Sequence, residues 1–393
     1  MTIALPRPAT AARRPARTAG GISWAPPGER SGTSTILLAL VAVLVLFGLV
    51  MVLSSSSLVA LEETRSTWSY ATKQAMWAAL GIVGMCAAVW SDRRMWRRWC
   101  RVALLGVGAL LVVVLAVGPR INGAQRWIGV GPLQVQPSEL AKVAMILFVA
   151  DLLAKRSREV HDPRRTVWPV VGVLAVVCGL ILLQPNLGTT LVIVTVVMAM
   201  LLASGANMRP LVALGGLVVA AAGLLVWFEP YRRRRLFAMF DPWANAETTG
   251  YQAIQANVGL ADGGLTGLGL GQSRAKWGYL PFAHTDFVFA IIGEELGLIG
   301  ALATVALFVA IACVGVRAAL RAADRFSTLV AVGVTTWLVS QAFLNIGVVI
   351  GLLPNTGVPL PFVSYGGSSL LVTMIGAGML LNIARHPRAV APR

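Results

Sequence analysis

About ten apolar runs, each close to the length of a membrane span, follow one another along this chain and leave it few ways to fold. They lie at roughly residues 34–54, 73–91, 102–118, 139–153, 167–183, 188–204, 210–228, 284–316, 326–352 and 364–383. A helix rises about 1.5 Å per residue, so about 20 apolar residues cross a ~30 Å hydrocarbon core with every backbone hydrogen bond closed internally. With 57% hydrophobic and 12% charged residues and a mean hydropathy of +0.75, the 393 residues are too apolar for a water-soluble domain. The pattern predicts an all-α polytopic membrane protein of about ten transmembrane helices spanning residues 34–385, preceded by a disordered basic tail at 1–33 and followed by a short tail at 386–393.

A net charge of +17 on a soluble protein would point to nucleic acid, but here the placement of the charges decides their meaning. Arg7, Arg13, Arg14, Arg17 and Arg30 precede the first run; Arg93, Arg94, Arg97, Arg98 and Arg101 follow the second; Lys155, Arg156, Arg158, Arg164 and Arg165 follow the fourth. Arg209, then Arg317, Arg321 and Arg325, then Arg385, Arg388 and Arg393 continue the alternation. Positive loops stay inside, so both termini are expected in the cytoplasm and no nucleic-acid partner is expected. The first run is long enough to remain as an anchor, so no cleaved signal peptide is expected. Cys86, Cys100, Cys178 and Cys313 form no CxxC motif and no outer-face pair, so neither a disulfide nor a zinc site is indicated. No internal repeat is visible, which weakens a transporter built from inverted repeats.

One segment breaks the rhythm. Between the seventh and eighth runs lies a large extracytoplasmic loop, residues 229–283, holding Arg232, Arg233, Arg234, Arg235, Arg274 and Lys276 against the positive-inside trend. It ends in Pro281-Phe282-Ala283-His284-Thr285-Asp286-Phe287. In a chain made of spans and short turns, a long loop is where chemistry facing the outer side can be placed. The remaining polar motifs open helices at the same face: Gln136-Pro137-Ser138-Glu139 with Lys142 before helix four, Gln184-Pro185-Asn186-Leu187-Gly188-Thr189 before helix six, and Ser364-Tyr365-Gly366-Gly367 before helix ten.

Glu139 and Lys142 are three apart and can pair on one helix face. Ordinary capping, with Lys142 reaching outward, explains them as well as a substrate site does. Asp286 falls in the expected first turn of helix eight, where the dipole alone favours an acid, yet it follows the long loop and stands beside His284. Glu294 and Glu295 lie about 12–13.5 Å along the helix from Asp286 and point elsewhere, too far for a glycosidase-type carboxylate pair, so they are expected to be structural, with a proton or ion pathway as the alternative. The run Arg232–Arg235 reads either as a lipid-headgroup anchor or as a diphosphate clamp, because arginine holds phosphate oxygens in bidentate fashion. Gly263, Gly264, Gly267, Gly269 and Gly271 lack the Lys-Ser/Thr and preceding strand of a nucleotide loop and are expected to make tight turns over the membrane surface. Ser364 to Ser369 lacks the spacing of a nucleophile elbow and reads as close helix packing with a hydroxyl-rich rim.

Taken together these motifs resemble the SEDS family (shape, elongation, division and sporulation; the FtsW, RodA and SpoVE types) of polytopic bacterial enzymes. The resemblance runs from about residue 34 to 385. It rests on Arg126-Trp127, on Gln136-Pro137-Ser138-Glu139 with Lys142, and on Asp241-Pro242-Trp243 followed by Gly250-Tyr251-Gln252. It rests also on His284-Thr285-Asp286-Phe287, on Glu294-Glu295-Leu296-Gly297, and on Leu352-Leu353-Pro354 through Ser364-Tyr365-Gly366-Gly367-Ser368-Ser369. The resemblance implies a peptidoglycan glycosyltransferase that polymerises lipid II at the outer face of the cytoplasmic membrane, with Asp286 at the family's essential aspartate. Glu139, Lys142, Arg126, Arg232–Arg235, Lys276, His284 and Ser364 are then candidates for substrate binding. A divalent cation, Mg²⁺ or Mn²⁺, held with Asp286, is a further way to neutralise the polyprenyl diphosphate leaving group. A class B penicillin-binding transpeptidase, other divisome membrane proteins and membrane lipids are the implied partners, and the division septum the implied place.

Two positions depart from the family pattern. Asn186 stands where the family commonly has Asp in Gln-Pro-Asp-Leu-Gly-Thr, and Phe282 stands where it commonly has Glu in Pro-Glu-Ala-His-Thr-Asp, so two carboxylates are missing near the expected site. The Ser54–Ser57 end of helix one and Lys276 ahead of Trp277 resemble the division branch, the FtsW type, more than the elongation branch, the RodA type. Rival readings are a lipid II flippase, which needs a polar path reaching both faces, and a non-catalytic scaffold, for which Asp286 is dispensable.

Overall fold

The computed structural model describes residues 32–387, apart from 122, 131, 132, 249 and 278. The arginines assigned to the first tail, and Arg388 and Arg393 of the second, lie outside the described residues. Twelve α-helices form among the described residues: α1 (Gly32–Thr64), α2 (Ser69–Trp90), α3 (Arg93–Val117), α4 (Pro137–Lys155), α5 (Val167–Leu182), α6 (Leu187–Ala203), α7 (Met208–Phe228), α8 (Pro230–Phe240), α9 (Tyr251–Gly263), α10 (Val288–Leu320), α11 (Arg325–Val349) and α12 (Gly367–Arg385). The ten apolar runs fall on α1–α7 and α10–α12. Seven of these, α1, α2, α3, α7, α10, α11 and α12, are long and apolar enough to cross a membrane. α5 and α6 are apolar but only 16 and 17 residues long. α4 carries Glu139, Lys142, Asp151 and Lys155.

α4 can carry four charges because it is packed inside the bundle and its charges are answered there. Pro137 opens it, Glu139 sits in its positive first turn and Lys155 in its negative last turn. Asp151 meets Arg97 of α3 at 3.2 Å and Lys155 at 2.5 Å. Met145, Ile146 and Val149 of α4 are buried with Ile193, Val197 and Met200 of α6 and Trp337 and Leu338 of α11. α3 and α7 turn residues such as Leu105, Val117, Val219 and Phe228 outward. That is the distribution expected of helices facing lipid.

The two ends of the bundle differ. At one end the arginine-bearing turns meet: Arg93 donates to Ser327 Oγ at 3.1 Å, and Asn382 donates to the carbonyls of Val89 at 2.8 Å and Ser91 at 2.9 Å. At the other end the N-termini of α4, α6, α10 and α12 gather. Gln136 N–H donates to Ser368 Oγ at 3.3 Å, and Tyr365 N–H to the His284 carbonyl at 2.9 Å. Asn186 accepts from Thr189 N–H at 3.2 Å as the cap of α6. These contacts set the turn before Arg93, the start of α11 and the end of α12 together, and the polar starts of α4, α10 and α12 together at the other end.

Two small hairpins between α3 and α4 were not anticipated. β1 (Arg120–Ile121) pairs with β2 (Ala124–Gln125), and β3 (Ile128–Val130) with β4 (Leu133–Val135), both antiparallel. Strands of two or three residues give no periodic signal to read.

The eighth run needs the largest correction. It was expected to begin a continuous helix at His284, but α10 starts at Val288 and is broken at Gly297, whose φ is 66° and ψ −166°. That region is open essentially to glycine alone. The break frees backbone groups in the middle of an apolar element, and the glycine-rich segment satisfies them. Leu268 and Gly269 donate to the carbonyls of Glu294 and Glu295, both at 3.0 Å, and Leu298 donates to the Gly264 carbonyl at 2.9 Å. The glycines therefore allow the chain to lie backbone to backbone against the broken helix, rather than to turn over the membrane surface. Irregular backbone at this depth is tolerated where protein covers it.

A methyl group at Gly297 would lie 2.4 Å from Gly267 N and 2.5 Å from the Leu265 carbonyl carbon. Gly297→Ala is expected to lower stability by about 1–3 kcal/mol, read as a lower thermal midpoint in detergent. Gly108→Ala, where an added Cβ meets nothing within 4 Å, should leave the midpoint unchanged or raise it.

Candidate functional site

Asp286 stands in a tight turn just ahead of α10, not in the first helical turn. Phe282, at φ 60°, turns its carbonyl back to accept N–H groups from Thr285 and Asp286, both at 3.1 Å. The Asp286 carbonyl accepts from Asn345 Nδ2 of α11 at 2.7 Å. The same nitrogen donates to the Val358 carbonyl at 2.8 Å. Residues 350–366 thus form a strap across the end of the bundle, and an added Cβ on Gly357 in that strap would lie 3.6 Å from Asp286 Oδ2.

The charges of two expected cations reach this carboxylate. Burial pushes Asp286 up to about 6, while the charges of Arg235 and then Arg126 oppose that shift. Arg235 donates to the Asn355 carbonyl of the strap at 3.1 Å, and Asn355 in turn bonds Gln252 of α9 at 2.8 Å. Arg126, between the hairpins, holds the Gln184 carbonyl at 2.9 Å and the Pro185 carbonyl at 2.5 Å. Both side chains are half-buried and fixed on backbone, so their charge is positioned before any ligand arrives.

The other three arginines of the run do not share that placement. Residues 230–240 form α8, and at about 100° per residue four successive side chains fan around a helix. Arg233 lies over the Trp227 ring at 6.0 Å and Arg234 is exposed. Arg232 belongs to α8, and its side chain is outside the described residues. Read as a loop, the run offered four equivalent cations; as a helix it presents Arg235 to the strap.

Lys142 and Glu139 form a closed pair at 2.8 Å, both nearly fully buried. The ammonium also donates to Gln341 Oε1 at 2.8 Å and lies 4.9 Å from the Trp337 ring centre. It is thus held inside the bundle instead of reaching outward. Gln341 passes the contact on, donating to the Pro359 carbonyl of the strap at 2.9 Å.

Lys276 sits elsewhere, in the network that pins the long segment to α10. Its ammonium donates to the Gly271 carbonyl at 2.6 Å and faces Glu295 at 3.5 Å. Ser54 of α1 donates to both oxygens of Glu295, at 2.6 and 2.8 Å. Glu294 accepts from Arg274 N–H at 2.6 Å and from Ala275 N–H at 3.3 Å. Both acids have the structural contacts expected of them, and Lys276 shares those contacts rather than those around Asp286.

His284 joins an aromatic group, its ring centre 5.1 Å from that of Tyr70 and 5.7 Å from that of Tyr365. Burial lowers its pKa against the opposing charge of Glu63, so the imidazole is neutral at neutral pH. Ser364 closes the turn before α12, its hydroxyl accepting from Leu360 N–H at 2.8 Å. Its carbonyl accepts from Gln74 of α2 at 3.2 Å, so it is a buried turn residue and not a rim hydroxyl.

Gln341, Asn345 and Gln74 were not anticipated. The signal was present, since an amide inside an apolar span is expensive and marks a specific partner. Among the described residues no group of three or more His, Cys, Asp or Glu could hold a metal. Asp286 is a single carboxylate with two arginines nearby, and Asn186 and Phe282 add no charge. These residues do not by themselves build a divalent-cation site.

Fold and site together define a polytopic membrane protein with a preset acid and two fixed arginines at one end of its bundle. The model of the FtsW/RodA/SpoVE family, described as a cell cycle protein, matches residues 34–389, and the chain belongs to that family. A probable peptidoglycan glycosyltransferase FtsW from Geobacter metallireducens is 40% identical over 351 residues, covering 89% of this chain and 94% of that protein. Stage V sporulation protein E of Bacillus subtilis is 38% identical over 362 residues, covering 92% and 99%. Among solved structures, a chain from a study of polymerization and crosslinking by a peptidoglycan synthase complex matches with a TM-score of 0.75 at 30% identity, covering 89% of this chain and 96% of that one. The rod shape determining protein RodA of Thermus thermophilus matches with a TM-score of 0.67 at 28% identity, covering 89% and 95%.

Removing one member of a buried ion pair leaves the other uncompensated, at a cost of about 3–5 kcal/mol. Lys142→Met is expected to lose about that much stability, and adding Glu139→Gln in the same chain should restore part of it. The comparison is read from thermal unfolding of the two variants in the same detergent.

Proposed function

We propose that this chain is a peptidoglycan glycosyltransferase that polymerises lipid II at the outer face of the cytoplasmic membrane. The observation that carries this reading is the half-buried Asp286 carboxyl, which desolvation raises to about 6 against the opposing charges of Arg235 and Arg126. Transfer of a glycan strand joins the 4-hydroxyl oxygen of an acceptor sugar to the anomeric carbon of the donor. The bond from that carbon to the polyprenyl diphosphate breaks, and the hydroxyl proton must go to a base. Asp286, ionised at neutral pH, takes the proton. Arg235 and Arg126 receive the charge that grows on the departing diphosphate, which arginine's planar fork binds well. The apolar faces of the surrounding helices accommodate the lipid chains.

Two features set this reading above a flippase. The candidate groups gather at one end of the bundle, and charges at the other end answer one another, as in Arg97 with Asp151. Synthesis at the septum, in company with a class B penicillin-binding transpeptidase and other divisome proteins, follows from the likeness to FtsW proteins and to a chain of a peptidoglycan synthase complex. A transpeptidase complements a chain that makes uncrosslinked strands.

General-base catalysis contributes roughly 10²–10⁴-fold. Asp286→Asn is expected to lower the rate of strand formation from purified lipid II by at least about a hundredfold while the protein still co-purifies with its transpeptidase. Strands made at the wild-type rate by that variant would remove Asp286 from the mechanism.

The wild-type rate should also be flat above pH 7 and fall with acid through a midpoint of about 6, as the base becomes protonated. Arg235→Gln removes the largest charge opposing protonation, so the midpoint should move upward.

A further inference from the structure

We propose that Asn345 is the positioning residue that sets the gap between the Asp286 carboxylate and the strap opposite it, and that the α11 amides Gln341 and Asn345 act together as the frame of the active site. This rests on Asp286 being the base of the transfer.

Asn345 is 2% exposed, near the end of α11 in an apolar helix where an amide needs a reason to be. Its Nδ2 group donates to two carbonyls that belong to the opposite sides of the site. One is that of Asp286, at 2.7 Å, the other that of Val358, at 2.8 Å. One rigid NH₂ group therefore fixes the main chain carrying the base and the main chain facing it. The two sides come close at Gly357, whose built Cβ lies 3.6 Å from Asp286 Oδ2. Gly357 N–H is itself fixed on Asn355 Oδ1 at 3.1 Å.

One helical turn away, Gln341 repeats the device. Its Nε2 donates to Pro359, next in the strap, at 2.9 Å. Its Oε1 accepts from Lys142 at 2.8 Å and from Trp337 Nε1 at 2.7 Å. Residues four apart on a helix share a face, so the two amides grip consecutive strap carbonyls from one side. The Glu139–Lys142 pair orients Gln341, which gives that buried pair a role without any contact to substrate.

The amides differ in completeness. Gln341 has partners for its oxygen and its nitrogen, whereas Asn345 Oδ1 is buried with no hydrogen-bond partner. An orphan buried acceptor is costly, and apolar residues of similar size would avoid that cost. The geometry is accounted for by the paired donation to Asp286 and Val358, which an apolar side chain cannot supply. Positioning to a fraction of an ångström is what such support provides, and small misplacements cost large factors in rate.

The test uses the full chain with its transpeptidase partner and lipid II as substrate, comparing Asn345→Ala, Asn345→Leu and, as control, Asn382→Ala. Asn382 is also a buried asparagine bonded to backbone carbonyls, but at the opposite end of the bundle. The Asn345 variants are expected to lose kcat by ten- to a hundredfold, with KM changed less than about threefold, and to shift the acid midpoint of the rate. The control should lower thermal stability without moving that midpoint. If Asn345→Ala fails to accumulate as a folded complex, Asn345→Leu, which keeps the bulk and removes the NH₂ donors without adding a charge, carries the comparison. Wild-type kcat and an unmoved midpoint in a folded Asn345 variant overturn the proposal. If Asp286→Asn is also active, the base assignment fails with it; if Asp286→Asn is inactive, only the positioning role fails.

Discussion

An ammonium inside an apolar bundle must be matched by an opposite charge and by hydrogen bonds, and much of this structure follows from how Lys142 meets that demand. Its partners are Glu139 one turn earlier on α4 and Gln341 on α11. That contact fixes how α4 sits against α11. It also orients the Gln341 amide toward the strap, and Asn345 on the same face does likewise for Asp286. A polar core of this kind is a weak source of net stability, because desolvation offsets most of the attraction. Its effect is to specify one arrangement of three chain segments that apolar packing alone would leave free to slide.

The same logic governs the other buried acids. Glu294 and Glu295 precede the break at Gly297, and their side chains and carbonyls both bind the long segment. The segment in turn satisfies the backbone that the break leaves open. Neither half is stable in an apolar setting without the other. This docking anchors the segment 264–276, and with it the chain that continues into the Asp286 turn. The base is therefore held from one side by α11 and from the other by a loop tied to α10.

Much of the architecture was legible in the sequence because length and apolarity are enough to mark a spanning helix, and alternating arginine clusters are enough to order the loops. Asp286 was legible from its place after the long segment and from the family motif around it. What could not be read has a physical reason in each case. The run Arg232–Arg235 looked like four equal charges because it was read as loop; Pro230 at a first helical position was the signal that went unused, and the helix separates the side chains. Lys276 sits outside the helices, yet it is drawn to Glu295 by a long-range fold-back that no spacing rule encodes. The hairpins on either side of Arg126 are too short to have a period. Phe282, which was read only as a missing acid, provides the carbonyl that closes the Asp286 turn. Asn186, read in the same way, caps α6.

Base catalysis by Asp286 requires a carboxyl poised near neutrality under the field of Arg235 and Arg126. The direct measurement is a pH titration of its carboxyl stretch by difference infrared spectroscopy on the protein in membranes, with Asp286→Asn subtracted to isolate the band. A midpoint near 6, moving upward in Arg235→Gln, is the expected result. A midpoint near the ordinary aspartate value of about 4, unmoved by loss of Arg235, would contradict it.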